Sequence, residues 1–243
     1  MNTIFIVFFT IIILLSSCYP TLLMPNLQHV PATSPKNELL LTPRNCNVII
    51  KIDTNFYFQM NGYALYKYFY KNNSQIIDIP KVKTYKHEFA LGYQNNIQNF
   101  YFGLTSGIGN GKYRLNYEYT VSGYHFIQPF SENISAETKE YFIMPYTTMN
   151  IDNTSVSLSY RWRQVNVQKY YDYFATKQED NKIKYKEFAC TIRNRYKKID
   201  FLTQFQISML QYEPKNNLPY VNFCDNKVMI SLGAIYNFGI WKK

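Results

Sequence analysis

The sequence predicts an all-β protein: a single antiparallel up-and-down transmembrane β-barrel of about 10 strands, within a range of 8–12, that follows a cleaved lipoprotein signal peptide. Apolar and polar residues alternate with period two, for example across 155–162, where Val, Leu, Tyr and Trp are interleaved with Ser and Arg. The alternating segments are about 10–13 residues long, whereas strands in globular proteins average about 5–6. Tyr and Phe, which strands favour, number 24 and 18.

The alternation gives an even number of strands, as in bacterial outer-membrane barrels. They are predicted at 37–44, 47–54, 56–69, 83–93, 97–117, 139–149, 154–166, 184–194, 199–211 and 227–240. The segment 97–117 is irregular because its apolar parity shifts from even to odd positions. Gly107, Gly109 and Gly111 lie at the shift, which predicts a β-bulge there. A turn at these glycines is the alternative and would give twelve strands.

Short and long connections alternate along the chain. Short turns are predicted at 53–55, 94–96, 151–153 and 196–198. Long loops are predicted at 71–82, 122–138, 168–183 and 212–226. Outer-membrane barrels place short turns in the periplasm and long loops outside, so the long loops are the predicted contact surface.

The N-terminus predicts the compartment. Residues 4–15 are apolar apart from Thr10, and the stretch ends in Leu15-Ser16-Ser17-Cys18, which resembles a bacterial lipobox. We therefore predict a signal peptide at 1–17, lipidation of Cys18, a proline-rich tether at 18–36 and the barrel at 37–243. The absence of Lys and Arg before the apolar stretch departs from the usual pattern. The predicted location is the outer membrane of a Gram-negative bacterium, with the protein anchored by lipid.

The net charge of the chain indicates which kinds of binding partner to expect. Lys and Arg outnumber Asp and Glu by 26 to 16, a net charge of +10. No basic stripe or nucleic-acid module accompanies this charge, so nucleic acid is not expected as a partner. We expect outer-membrane lipid, including anionic lipopolysaccharide, and a monomeric barrel.

The polar positions of the alternation predict a charged lumen. The predicted network comprises Glu88, Arg114, Glu118, Arg161, Arg163, Glu187, Arg193, Arg195 and Asp200. The interior of a barrel of this size is little wider than packed side chains, so opposite charges should pair. The predicted role is a plug of ion pairs with a structural or surface-interaction function. A narrow passive pore is the alternative.

Periodicity alone does not say which face of the strands is exposed. A lipid-anchored soluble periplasmic barrel that binds a small ligand is therefore a further alternative. Long strands and a charged minority face favour the membrane. The tyrosines of 57–70 are then predicted to belong to an aromatic girdle.

No catalytic, metal or cofactor site is predicted. His29 lies in the tether, His125 lies in a long loop, and His87 and Glu88 point to opposite faces of one strand. The chain has no G-x-S-x-G motif and no C-x-x-C motif. Barrel closure would bring Cys46 near Cys224, so a disulfide between them is a hypothesis.

Six motifs resemble one protein family. They are PNLQHVPATSPKNE at 25–38, HEFALGY at 87–93, GLTSGIGNGK at 103–112, FIMP at 142–145, SLSYR at 157–161 and SLGAIYNFG at 231–239. Together they are similar to a family of small outer-membrane β-barrel lipoproteins of Bacteroidetes-type Gram-negative bacteria. The resemblance implies a fold and a cellular location, and it implies no reaction.

Overall fold

A computed structural model describes residues 28–31, 36–42, 45–68, 81–122, 127–171, 181–196, 199–212 and 227–238. Within the strands, the side chains of 65–68, 81–82, 115–134, 169–171, 181, 212 and 227 are not described. The predicted signal peptide, Cys18 and most of the tether lie outside these residues. All regular elements in this part of the chain are β-strands.

The strands form one closed barrel. They are β1 (Asn37–Leu41), β2 (Asn45–Lys51), β3 (Phe56–Tyr68), β4 (Lys81–Ile97), β5 (Phe100–Ser122), β6 (Ile127–Ile151), β7 (Thr154–Tyr171), β8 (Asn181–Tyr196), β9 (Ile199–Tyr212) and β10 (Lys227–Phe238). Each strand pairs antiparallel with its neighbour in sequence, and β1 pairs with β10 to close the barrel. The predicted fold class and the count of ten strands are confirmed.

The barrel is apolar outside and polar inside. Exposed side chains on the outer face include Leu91, Phe102 and Phe201, which are 63%, 49% and 58% exposed. The inner face buries charged residues such as Arg163 and Glu187. This is the polarity of transmembrane barrels and the reverse of a soluble barrel, so the soluble-barrel alternative is wrong. No helix within the described residues has the length and hydropathy needed to cross a membrane.

The glycine run of β5 contains no bulge. Phe100–Ser122 pairs with β6 without a register shift, and its even positions face outward along the described length. The predicted β-bulge is therefore wrong. Arg114 lies on the exposed face instead of in the lumen, and Tyr113 takes the buried position. The twelve-strand alternative is wrong for the same reason, because no turn interrupts β5.

The barrel wall differs greatly in height around its circumference. β5 and β6 contain 23 and 25 residues, whereas β1 and β2 contain 5 and 7. The loop predicted at 122–138 is wrong, because β6 already begins at Ile127 and pairs with β5 from there. Alternation is weak in this stretch, so its sequence resembles a loop although its backbone continues the sheet.

Small apolar clusters share the lumen with the charges. Leu40, Leu202 and Ile235 form one cluster beside the β1–β10 junction. Of the tyrosines predicted for the girdle, the two with described side chains, Tyr57 and Tyr63, are buried inside the barrel. The girdle prediction is wrong for these two residues, since odd positions of β3 face inward.

Candidate functional site

The candidate functional site is the interior of the barrel, where charged side chains are gathered out of solvent. Along β4, the inward residues Thr84, Lys86 and Glu88 are buried, whereas Tyr85 and Phe89 point outward and are exposed. The strict alternation of strand side chains produces this division. Because buried charges are costly unless they are paired, the arrangement of the partners decides what the lumen can do.

Six side chains form a closed ring of ion pairs with alternating sign, which we call the charge ring. Its members come from β4, β6, β7 and β8, and their side chains are at most 3% exposed: Lys86, Glu88, Glu140, Arg161, Arg163 and Glu187. Three cations face three anions, so the ring is electrically balanced.

One half of the charge ring runs from Glu88 to Glu187. Lys86 Nζ lies 2.9 Å from Glu88 Oε1 and 2.5 Å from Glu140 Oε2. Arg163 continues from Glu140, with Nη1 3.3 Å from Oε2, to Glu187, with Nε 3.0 Å from Oε1. Each cation in this half therefore bridges two carboxylates.

Arg161 completes the charge ring. Its Nε lies 2.6 Å from Glu187 Oε2, and its Nη1 lies 3.5 Å from Glu88 Oε2. The guanidinium carbon also lies 5.2 Å from the centre of the Phe142 ring. A planar guanidinium suits this position because it can serve two carboxylates and an aromatic face together.

Aromatic side chains contact members of the charge ring. Tyr113 Oη donates a hydrogen bond of 3.0 Å to Glu140 Oε1. The guanidinium carbon of Arg163 lies 4.6 Å from the centre of the Tyr185 ring. These contacts orient Glu140 and Arg163, and they add hydrogen-bond and cation–π stabilisation to the ion pairs.

A second charged cluster lies nearer the short turns, at the seam where β1 pairs with β10 to close the barrel. We call it the seam cluster. Arg193 on β8 donates from Nε to Asp200 Oδ2 at 2.6 Å and from Nη1 to Glu38 Oε2 at 3.0 Å. Its Nη2 donates to Asn237 Oδ1 at 3.1 Å. One side chain therefore joins β8, β9, β1 and β10, where the first and last strands meet.

Residues 28–31, within the predicted tether, lie inside the barrel, whereas Lys36 at the end of the tether is exposed. Gln28, His29 and Val30 are at most 5% exposed. The Gln28 backbone N–H donates to Gln204 Oε1 at 3.2 Å, and Gln204 Nε2 donates to the Gln28 carbonyl at 2.7 Å. Ser159 Oγ donates to Gln28 Oε1 at 2.8 Å. Residues 28–31 are therefore part of the packed lumen and not an external linker.

His29 connects this segment to the seam cluster. Its Nδ1 lies 2.9 Å from Asn47 Oδ1, and its Nε2 lies 3.0 Å from Glu38 Oε2. Glu38 therefore accepts contacts from both His29 and Arg193. The segment and the closing strands are tied together at one buried carboxylate.

Of the nine residues predicted for the lumen network, the structure brings six into the interior. They are Glu88, Arg161, Arg163, Glu187, Arg193 and Asp200. Arg195 lies at the rim, where its side chain is 45% exposed and its Nε is 4.0 Å from Asp200 Oδ1. Arg114 is outside, and the Glu118 side chain is not among those described.

Sequence reasoning missed several interior residues, which include Lys51, Lys86, Glu140, Glu38 and His29. Lys86 lies within the predicted strand 83–93, and its parity matches that of Glu88. Glu140 precedes inward Phe142, Met144 and Tyr146, so its face of β6 does not look polar. For His29, no strand periodicity was present to indicate burial.

Only some of the remaining predicted site residues lie within the described part of the chain. Cys46 is exposed and forms no disulfide with a described cysteine, and Cys224 lies outside the described residues, so the disulfide between them stays a prediction. His125 and the lipidation residue Cys18 also lie outside them. Within the described residues, no group of three or more His, Cys, Asp or Glu side chains could hold a metal ion.

Comparison with known proteins identifies outer-membrane barrels of similar extent. The outer-membrane protease OmpT from Escherichia coli is 11% identical, with a TM-score of 0.48, over 86% of this chain and 99% of that one. The β-domain of the Bordetella autotransporter BrkA is 8% identical, with a TM-score of 0.27, over 83% of this chain and 96% of that one. No protein-family model and no curated protein sequence matches. Membership of the Bacteroidetes-type lipoprotein family therefore stays a prediction.

Proposed function

We propose that this protein is an outer-membrane β-barrel lipoprotein with a closed lumen and a structural or surface-interaction role. The observation that carries the proposal is the charge ring. Six nearly fully buried, mutually paired side chains lie in the interior, and residues 28–31 are buried in the lumen beside the seam cluster. No catalytic role is proposed.

The outer face supports insertion in the membrane. Apolar side chains cover it from near the short turns, as at Phe100, to several residues higher, as at Ile108. A closed barrel can cross a lipid bilayer because every strand pairs with its neighbours. The short turns would then lie in the periplasm and the longer connections outside.

A lipid on Cys18 is compatible with the buried segment. Gln28 is 10 residues after Cys18 (28 − 18). An extended chain of this length reaches about 35 Å, enough to connect a membrane surface with the lumen. Metabolic labelling with a fatty acid tests the anchor: the wild type should be labelled and Cys18→Ser should not. Labelling of Cys18→Ser would contradict it.

Gel mobility of the detergent-extracted outer-membrane fraction tests insertion. We expect the protein in that fraction, with different mobility in boiled and unboiled samples, because folded barrels resist detergent until heated. The protein would not be an inserted barrel if it were absent from this fraction or migrated identically after boiling.

A narrow pore is the second candidate function. Both polar atoms of the Gln206 side chain, and Nη2 of Arg161 and Arg163, lack a hydrogen-bond partner among the described residues. Such groups could line a thin hydrated path. The pore predicts ion conductance by the wild-type barrel, whereas the closed lumen predicts none.

A further inference from the structure

Cations cluster on the outer face of the barrel at the end opposite the short turns. They project outward from β4, β5, β6 and β8, and we call them the cationic collar: Lys83, Lys112, Arg114, Lys139, Lys182, Lys184 and Lys186. Glu137 is the one acidic residue among the described outward side chains of this region. The collar therefore has a large excess of positive charge.

The strand register brings like charges together in the collar. Lys83 and Arg114 lie directly opposite each other on β4 and β5. Like charges in opposed positions destabilise a sheet unless something neutralises them. Lys112, the next outward residue of β5, is opposite Glu137, and their charged atoms are 3.1 Å apart. The described outward side chains of the collar therefore include seven cations and one carboxylate.

A second group of collar residues forms a row across three strands. Lys139 is opposite Asn166, and Asn166 is opposite Lys182. Because neighbouring strands lie about 4.8 Å apart, the backbones at Lys139 and Lys182 are separated by about 10 Å. Two cations with an amide between them suit a phosphate group, which accepts hydrogen bonds on several oxygens.

The collar borders the apolar outer face directly. Two residues closer to the short turns, on the same face of each strand, Lys83 is followed by Tyr85, Lys139 by Tyr141 and Lys186 by Phe188. Aromatic residues of this kind mark the interface between the acyl chains and the headgroups. The cations therefore stand at headgroup height, above side chains that contact acyl chains.

Among the described outward side chains at this end of the barrel, the collar cations lie on β4, β5, β6 and β8. At the same end, the described outward residues of the remaining strands are uncharged, including Cys46, Ala64, Gln211 and Val228. A general attraction to an anionic surface would not require this concentration on β4–β8. The concentration of described cations on these strands is compatible with a localised binding surface.

We propose that the cationic collar binds the phosphate groups of a glycolipid in the outer leaflet, the chemistry that lipopolysaccharide presents. The cations hold the phosphates, and the aromatic and apolar side chains below them hold the acyl chains. This inference rests on the proposed function, because it requires the collar end to lie at the outer leaflet.

Lipid binding by the purified full-length barrel in detergent tests the inference. The probes are lipopolysaccharide, the same lipid after chemical removal of its phosphates, and inorganic phosphate as a competitor. We expect Lys83→Gln/Arg114→Gln and Lys139→Gln/Lys182→Gln to weaken binding of the phosphorylated lipid about tenfold or more. Removing the phosphates should weaken wild-type binding by a similar factor, and higher salt should reduce it.

A matched double variant controls for net charge. Lys36→Gln/Arg195→Gln removes two cations from the opposite edge and should bind like the wild type. The inference is overturned if the collar variants match this control, if the dephosphorylated lipid binds equally well, or if inorganic phosphate competes at the concentration of the lipid. Unboiled gel mobility separates the failure of the inserted barrel from the failure of the lipid-binding collar. If no folded band is seen, both proposals fail. If a folded band is seen but binding does not depend on the lipid phosphates, only the collar inference is overturned.

Discussion

Lys86 and Glu140 form an ion pair of 2.5 Å across a strand that separates them. Lys86 lies on β4 and Glu140 on β6, and the intervening β5 presents Gly111 opposite Lys86 and Gly109 opposite Glu140. Because these glycines have no side chains, the lysine and the glutamate can meet over the β5 backbone. Gly109 thus leaves space for the charge ring itself, whereas a Cβ at Gly107 would meet Phe142 and one at Gly111 would meet Tyr113.

Gly109→Ala should destabilise the barrel by about 1–3 kcal/mol, the usual range for overpacking. A Cβ atom at Gly109 would lie 2.9 Å from both Glu88 Cγ and the His87 carbonyl oxygen. Gly62→Ala is the control, since its Cβ would meet nothing closer than the Cys46 carbonyl oxygen at 3.8 Å. Urea unfolding followed by Trp fluorescence measures both. Equal midpoints for the two variants would contradict the role given to Gly109.

Glu187→Gln should lower the free energy of unfolding by about 3–5 kcal/mol. It removes the anion shared by Arg161 and Arg163 and leaves their buried positive charge unpaired on that side. Glu137→Gln is the comparison. It removes an exposed partner of Lys112 and should cost less than about 1 kcal/mol. The free energy of unfolding in urea measures each. The charge ring would not stabilise the barrel if the Glu187 variant lost no more than the Glu137 variant.

A cysteine at position 28 should be protected from a membrane-impermeant maleimide in the folded barrel. Gln28 is 1% exposed, whereas Lys36 is exposed. In a chain whose four native cysteines are replaced by alanine, Lys36→Cys should react quickly and Gln28→Cys slowly. Both should react after boiling. Rapid labelling of Gln28→Cys before heating would show that the segment does not occupy the lumen.

Asp53 gives a prediction for the first short turn. Its Oδ1 accepts hydrogen bonds from the backbone N–H groups of Phe56 and Asn55, and these bonds lower the pKa of the Asp53 carboxyl. A lowered pKa stabilises the fold at pH values above the unfolded pKa of about 3.9, and the stabilisation is lost as pH falls through the folded pKa. Asp53→Ala should therefore reduce stability at pH 7 and converge with the wild type in strong acid. Unfolding midpoints measured across this range check it, and a pH-independent difference would contradict the assignment.

The sequence predicted the strand number and much of the lumen because one physical rule, alternation, governs both. Arg161, Arg163 and Glu187 follow that rule and lie inside as expected. The prediction that Arg114 lies in the lumen is wrong because Tyr113 occupies the inward position, where it donates a hydrogen bond to Glu140. A large aromatic residue that serves a buried carboxylate looks lipid-facing in the sequence.

The buried N-terminal segment could not be predicted from the sequence in the same way. Gln28 and His29 have no strand periodicity, and prolines nearby indicate an extended linker. Their burial depends on Gln204 and Glu38, which the closed barrel brings to them from distant positions. Such contacts follow from tertiary closure and leave no local pattern.

Ion conductance of the wild-type barrel in planar lipid bilayers tests the closed lumen most directly. Insertion is verified by unboiled gel mobility of protein recovered from the same preparation, and a known porin serves as the positive control. The charge ring and residues 28–31 predict a current that stays at baseline. Discrete current steps from the inserted wild-type protein would contradict the closed lumen and establish the pore.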